Sequence, residues 1–510
     1  MSKKEFGDFQ TPPELIKLVL EAIDFQGNKW PRVFEPSCGQ GNFIVSLLEN
    51  NCPPQEIQAV EIQESYLEIA RKRTENFTNT RLCIQNKKIF DLDLKQDLHW
   101  QTNGSLLVIG NPPWVTNARL GIEKSNNLPQ KTNFKNLRGL EAITGSANFD
   151  ISEYILLKVI KELAAEKPTI ALLCKTSVAR NILKFARDNS IKITKSFIKK
   201  IDAKKWFNAS VNACLFCLKI GSNISKYEAD IYENLQTKKS ISTLGFTASG
   251  QIVADIKAYQ NYAFIDGISP LNWHQGLKHD AASLMELTLD CKNKLGENVD
   301  LEAEYLYPLL KSSDLFHDKN ISKYVIVTQK KLGADTLHFK NTAPQLWKYL
   351  NTHLDRFEKR KSSIYRGKPP FSIFGIGDYS FAPYKVAISG LHKIPKFRAI
   401  AKVKNRPVML DDTCYFIACF SAEQAAFITA LLNHQLCLDF IYSCFFKDAK
   451  RPITKKLLQR IDLTAILENI DRELLLSRAK IEFELLHGDR SCYPQPQWPV
   501  SLAEFFRKKY

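Results

Sequence analysis

At 510 residues, 44% of them hydrophobic, the chain is longer than a single domain usually is and has ample apolar material for buried cores, so at least two domains are expected. It has no uninterrupted apolar stretch of about 18 residues, and its start, MSKKEFGDFQTPPELIKLVL, has no signal-like segment after the lysines, which argues against a membrane-spanning or exported protein and for a cytoplasmic one. The net charge of +17 is uneven, with 22 Lys/Arg against 21 Asp/Glu in residues 1–180, 9 against 2 in 181–220 and 40 against 31 in 221–510, as expected of a near-neutral small-molecule site joined to a polyanion-binding surface.

In chain order, RVFEPS, IQAVEI, LLVIGN and TIALLC read as short buried strands, and FIVSLLEN, ESYLEIARKRT and YILLKVIKELA read as amphipathic helices between them. Strands alternating with helices of this length imply an α/β fold with a parallel sheet covered on both faces. Ligands of such sheets bind beyond the carboxyl ends of the strands, so the residues that follow each apolar run are the candidates. After the first strand comes Glu35-Pro36-Ser37-Cys38-Gly39-Gln40-Gly41, where glycines allow a tight turn and close backbone approach. The second strand ends at Glu61, followed by Ile62, and an acid there suits ribose hydroxyls. Asp91 follows the third strand and Asn111-Pro112-Pro113-Trp114 the fourth.

Proline fixes φ, lacks an N–H and pushes the preceding residue out of the helical region. The two prolines after Asn111 therefore build a stiff corner in which the Asn111 side-chain oxygen and the Pro112 carbonyl can both accept hydrogen bonds from one NH₂ group. Such a pair suits an exocyclic aromatic amine. Its nitrogen is a poor nucleophile until both N–H groups are held, and alignment with a sulfonium methyl supplies the rest. Trp114 offers a flat face to the base that carries the amine, which must leave the duplex stack. Twelve cysteines lie scattered, and the one C-x-x-C pair, Cys214 and Cys217, falls in an apolar strand-like run, so reduced core cysteines and no metal site are expected.

With these residues the chain resembles the gamma-class N6-adenine DNA methyltransferases of bacterial restriction-modification systems. The resemblance rests on FQTPPE (Phe9 to Glu14), FEPSCGQGNF, Glu61 in AVEI, Asp91, Asn111 to Trp114, ANFDISEYILLKVIKEL and WFNASVNACLFCL, over roughly residues 5–220. It implies a Rossmann-like S-adenosylmethionine-dependent methyltransferase domain over 1–225 and a mixed target-recognition domain over 240–510. It implies cofactor contacts from Thr11, Glu35, Ser37, Gly39, Glu61, Ile62, Asp91 and Pro113. It implies catalysis by Asn111, Pro112, Pro113 and Trp114, with Phe207, rather than Trp206, as the second aromatic against a flipped adenine. Cytosine N4, ribosomal RNA guanine and protein glutamine pose the same chemical problem and are the alternative substrates. The partners implied are double-stranded DNA and a separately encoded restriction endonuclease, with the enzyme acting as a monomer.

Beyond residue 240 the alternation is lost. Residues 351–410 hold 13 Lys/Arg against 3 Asp/Glu, interleaved with aromatics and glycines, and Arg366, Lys368, Lys393, Lys396 and Arg398 are the candidate DNA contacts. The apolar region 416–446 is broken by Glu423, Gln424, His434 and Asp439, which predicts core helices, with Ser421 to Gln424 as a capping box. A second basic run, KDAKRPITKKLLQR, covers Lys447 to Arg460 and is a further candidate for the DNA backbone.

Overall fold

The computed structural model describes residues 9–27, 29–115, 150–223 and 226–487, with Pro496 and Trp498. It divides into two compact units, Met1–Lys257 and Ala258–Tyr510.

The first unit is built on one ten-stranded sheet. Its strands in chain order are β1 (Arg32–Glu35), β2 (Glu56–Glu61), β3 (Arg81–Asn86), β4 (Leu106–Gly110), β5 (Thr169–Lys175), β6 (Ile193–Ile201), β7 (Ala213–Ile220), β8 (Ala229–Tyr232), β9 (Ser242–Phe246) and β10 (Ile252–Val253), and they lie side by side as β10-β9-β8-β6-β7-β5-β4-β1-β2-β3. The five strands β1 to β5 pair in parallel, whereas β7 runs antiparallel to both β5 and β6. Every residue of β2 and β4 is buried; β4 has the continuous apolar pattern of a strand covered on both faces, whereas β2 carries Glu56, Gln58 and Glu61 among its buried residues. Helices α1 (Pro13–Ala22), α2 (Asn42–Leu48) and α3 (Glu64–Thr74) belong to the early part, α4 (Ile151–Leu163) and α5 (Thr176–Asp188) flank β5, and short α6 (Ala203–Phe207) precedes β7. Proline at its first turn starts α1, and Leu15, Ile16, Val19 and Leu20 form its buried stripe.

From β1 the chain proceeds through α2 to β2 on one side, while β4 lies on the other. The loops that leave β1 and β4 therefore diverge, and the crevice between them is where ligands of such sheets bind. The first unit also runs past the boundary expected at residue 225, because β8 pairs in parallel with β6 and β9 and β10 add to it in turn.

The second unit holds two four-stranded sheets. One, in the order β11-β18-β15-β16, joins Trp273–Gln275, Cys414–Cys419, Tyr384–Ser389 and Phe397–Ala401; the other, β12-β14-β13-β17, joins Glu286–Thr288, Lys323–Ile326, Leu306–Leu310 and Met409–Leu410. Trp273, Phe371, Phe416 and Phe440 are among its fully buried side chains. The apolar region 416–446 forms two buried helices, Ala422–Leu432 and Gln435–Cys444, bent by 59°, and among the described residues no single helix is long and apolar enough to cross a membrane. The first of these helices starts at the expected cap, with Ser421 Oγ accepting from the Gln424 amide, but Gln424 Oε1 accepts the Phe420 amide, one residue ahead of the reciprocal bond of a capping box.

Candidate active site

The turn after β1 brings two carboxylates together. Glu61 is buried, and its two oxygens accept the backbone amides of Gly39 and Gln63, each at 2.8 Å. Glu35 is 2% exposed and its Oε2 has no hydrogen-bond partner; burial, and then the charge of Glu61, push its carboxyl well above the usual range. The Ser37 hydroxyl is likewise buried without a partner. Gly39 has φ +55°, and a Cβ there would come within 2.8 Å of the Gln10 side chain, so a larger residue would both strain the turn and push the leading segment away. Gly110, at φ +149°, lets the end of β4 pass Glu35, whose Cγ would lie 3.2 Å from an added Cβ.

These residues open into a cleft lined by Thr11, Glu35, Ser37, Gly39, Glu61, Ile62, Asn111 and Pro113. Eight residues expected from the sequence to hold a cofactor or act on substrate thus meet around one space. Gln10, Gln63, Tyr66, Lys88 and Phe90 line it too, although nothing in the sequence singles them out individually. Asp91 does not reach the cleft. The chain leaves β3 through a single 3-10 turn, Ile89–Asp91, which turns Ile89 and Phe90 toward the space and leaves Asp91 at the exposed surface. The position nearest the expected acid is therefore held by Phe90, whose ring meets Tyr154 edge-on at 5.1 Å.

On the other side of the cleft stands the proline corner. The Asn111 Nδ2 donates to the Phe9 carbonyl and to the Thr11 hydroxyl, both at 3.1 Å, while Asn111 Oδ1 is buried without a partner. Pro112 and Trp114 are buried, and the indole N–H of Trp114 donates to the Leu173 carbonyl of β5 at 3.2 Å, which fixes the ring. Phe9, Trp114 and Phe207 form an aromatic trio with centroids 5.6, 5.5 and 5.1 Å apart, and Trp114 meets Phe207 nearly at right angles. Trp206 is half-buried beside the same core and lies under the Lys205 ammonium instead. Asn148, at the start of the expected helix, lies outside the described residues; Asp150 caps α4 through the Ser152 amide and pairs with Lys175 at 2.6 Å.

A family model described as N-6 DNA methylase matches residues 1–224. The type II methyltransferase M.NspV of Nostoc sp. is 39% identical over 472 residues, covering 91% of this chain and 98% of the relative. The chain belongs to the N-6 DNA methylase family. It is a site-specific adenine-N6 DNA methyltransferase of the restriction-modification type. Among solved structures, the type IIL restriction-modification enzyme MmeI in complex with DNA superposes with a TM-score of 0.54 at 13% identity, over 93% of this chain and 68% of that one, a likeness of fold.

In the second unit of the methyltransferase the five expected DNA contacts separate into two groups. Arg366, Lys368 and Lys393 are exposed, the first two just after the 3-10 turn Ser363–Tyr365. Lys396 and Arg398 are half-buried and both face Asp318, and Arg398 also donates to the Lys319 carbonyl at 3.1 Å. An ion-paired cation is a poorer phosphate ligand than a free one. The second basic run is partly structural as well: Arg451 pairs with Asp412 at 2.9 Å and Arg460 with Asp266 at 2.6 Å. Cys214 and Cys217 are buried in β7 as free thiols.

Proposed function

We propose that the methyltransferase binds S-adenosylmethionine in the cleft between β1 and β4, extrudes a target adenine from double-stranded DNA and methylates its N6 at the Asn111–Trp114 corner. The observation that carries this reading is Asn111 Oδ1, a buried acceptor without a partner at the mouth of a cleft whose far side holds two acids.

The residues fit the cofactor. Glu35 Oε2 and Ser37 Oγ are orphaned polar atoms next to the glycine turn, suited to an ammonium and a carboxylate, and Glu61 is an acceptor of the kind ribose hydroxyls require. Ile62 and Phe90 supply apolar surface for a purine. When bound, S-adenosylmethionine supplies a methyl group carried on a cationic sulfur. Asn111 Oδ1 and the Pro112 carbonyl hold the two protons of the adenine amine, which localises the nitrogen lone pair and sets its direction. The corner is stiff and half-buried, so these acceptors need no reorganisation at the moment of transfer. Trp114, anchored by its N–H on β5, gives the base a fixed face. Phe207 closes on the other face, which requires its ring to turn, because edge-to-face rings 5.1 Å apart cannot sandwich a base.

The exposed cations of the second unit, Arg366, Lys368 and Lys393, are assigned to the DNA backbone, and a separately encoded endonuclease is the partner such a system requires. Membership in the N-6 family disfavours cytosine, ribosomal RNA and protein glutamine as the substrate. Transfer of labelled methyl to unmethylated genomic DNA, followed by nucleoside analysis and mapping, tests the reading. N6-methyladenine confined to one short motif is the expected result; label in RNA or protein and none in DNA overturns it.

A further inference from the structure

The leading segment Phe9–Thr11 touches both halves of the site. Gln10 Oε1 accepts the Gln40 amide of the glycine turn at 3.2 Å, and the Thr11 carbonyl accepts Asn42 Nδ2 at 2.8 Å. Asn42 is the first residue of α2 and is held in turn by Arg73. The backbone of Thr11 is therefore fixed by the cofactor side of the cleft. Its side chain, 4% exposed, is committed to the other side, where its hydroxyl accepts from Asn111 Nδ2.

The Phe9 carbonyl decides which end of the Asn111 amide points where. A backbone carbonyl can only accept, so the group that meets it at 3.1 Å must be the NH₂. A half-turn of the amide would face Oδ1 against that carbonyl with no proton between them, and would exchange two donated hydrogen bonds for at most one received from Thr11. In the observed orientation Oδ1 is left as an acceptor with nothing to accept. We propose that Thr11 is a positioning residue for methyl transfer: its hydroxyl, with the Phe9 carbonyl, locks Asn111 with Oδ1 toward the substrate amine. This rests on the reading of Asn111 as the amine's acceptor, and it differs from the cofactor contact that the sequence resemblance implies for Thr11. Gln10 and the Thr11 carbonyl of the same segment also hold the glycine turn and the first residue of α2.

Single-turnover methylation of DNA by the full chain, together with calorimetric affinity for S-adenosylmethionine, tests this in Thr11→Val and Thr11→Ser. The valine variant keeps the shape and loses the acceptor; its rate at saturating cofactor is expected to fall about tenfold with the cofactor Kd within about twofold of wild type. The serine variant restores the acceptor and is expected within about threefold of the wild-type rate. Retained cofactor binding reports that each variant is folded, and Thr11→Ala repeats the test with a smaller side chain if valine is not tolerated. A full rate at saturating cofactor, or a loss that resides wholly in Kd, overturns the proposal and makes Thr11 a cofactor contact. Wild-type protein that leaves adenine in DNA unmodified overturns the underlying reading instead.

Discussion

In the first unit, a buried carboxyl (Glu35) and a half-buried amide (Asn111) each keep one buried oxygen without a partner, whereas in the second unit the half-buried carboxylate of Asp266 is met by Arg460 at 2.6 Å and by the Tyr259 hydroxyl at 2.6 Å. Leaving a buried polar atom unpaired costs free energy that the fold must recover elsewhere, and satisfying it removes that cost. A fold tolerates the first condition where a ligand completes the set, and uses the second to join segments far apart in sequence: 194 residues separate Asp266 from Arg460. Tyr365 and Thr429 show that the second unit too leaves buried hydroxyls unpaired. At Glu35 and Asn111 on one side and Asp266 on the other, however, unpartnered and paired polar groups do two different jobs, and each can be broken separately.

The sharpest break is Asn111→Ala. It removes the orphan acceptor and is expected to lower methyl transfer by about 10²- to 10³-fold while S-adenosylmethionine affinity, read by calorimetry, stays near wild type. An equal loss of cofactor affinity would assign the amide to the cofactor side. On the paired side, Asp266→Asn leaves the half-buried Arg460 guanidinium without its counter-charge and is expected to destabilise the second unit by about 1–2 kcal/mol. Burial pulls the Asp266 carboxyl up, but the hydrogen bonds from Arg460 and Tyr259 outweigh it and hold the group below the usual carboxylate range. Its stabilisation is therefore present at neutral pH and lost as pH falls through that lowered value, and a thermal melt followed against pH should show the wild type, not the variant, losing this increment in acid.

Glu35 inverts that sign. Its carboxyl is raised by burial and by Glu61, so the ligand-free fold favours the protonated form, and the contribution of this group declines as pH rises toward and past the raised value. Glu35→Gln should then raise the melting temperature of the ligand-free protein at pH 8 by about 2–4 °C. The same change is expected to weaken S-adenosylmethionine about tenfold, because a carboxylate facing the ammonium is lost. Wild-type affinity should also rise with pH, and the glutamine variant should be flat. A variant that is both less stable and unaltered in affinity would mean that Glu35 is architectural, like Asp266.

The alternation of strands and helices was legible because β1, β2, β4 and β5 appear as short, largely apolar runs. The Asn111–Trp114 corner stood out because its prolines lie between an amide and a large aromatic directly after a buried strand, whereas Pro12-Pro13, Pro53-Pro54 and Pro369-Pro370 show that paired prolines alone have other uses. What escaped is what the chain decides at long range or within one turn. Asp91 is exposed because a three-residue 3-10 turn rotates it away while its neighbour Phe90 lines the cleft. Strands β8 to β10 join the first unit by adding to the free edge of β6, a choice that local periodicity does not record. The roles of Phe9 and Gln10 depend on contacts 102 and 30 residues away, and the pairing of Lys396 with Asp318 spans 78.

That last pairing supplies the smallest and most selective test. Composition alone groups Lys396 with Arg366 and Lys368, but the structure gives Lys396 a carboxylate and leaves the other two on the exposed surface. A cation that neutralises a phosphate releases counterions, and each such contact contributes about 0.9 to the slope of log affinity against log salt. Arg366→Ala and Lys368→Ala should each flatten that slope by about one while weakening binding to cognate and unrelated DNA alike, by a few-fold at moderate salt. Lys396→Ala should leave the slope nearly unchanged, because its charge is already balanced by Asp318, and should show its effect in stability instead. A slope that drops equally in all three variants would mean that DNA draws Lys396 away from Asp318, and that pairing in the free protein does not separate structural cations from DNA-binding ones in this unit.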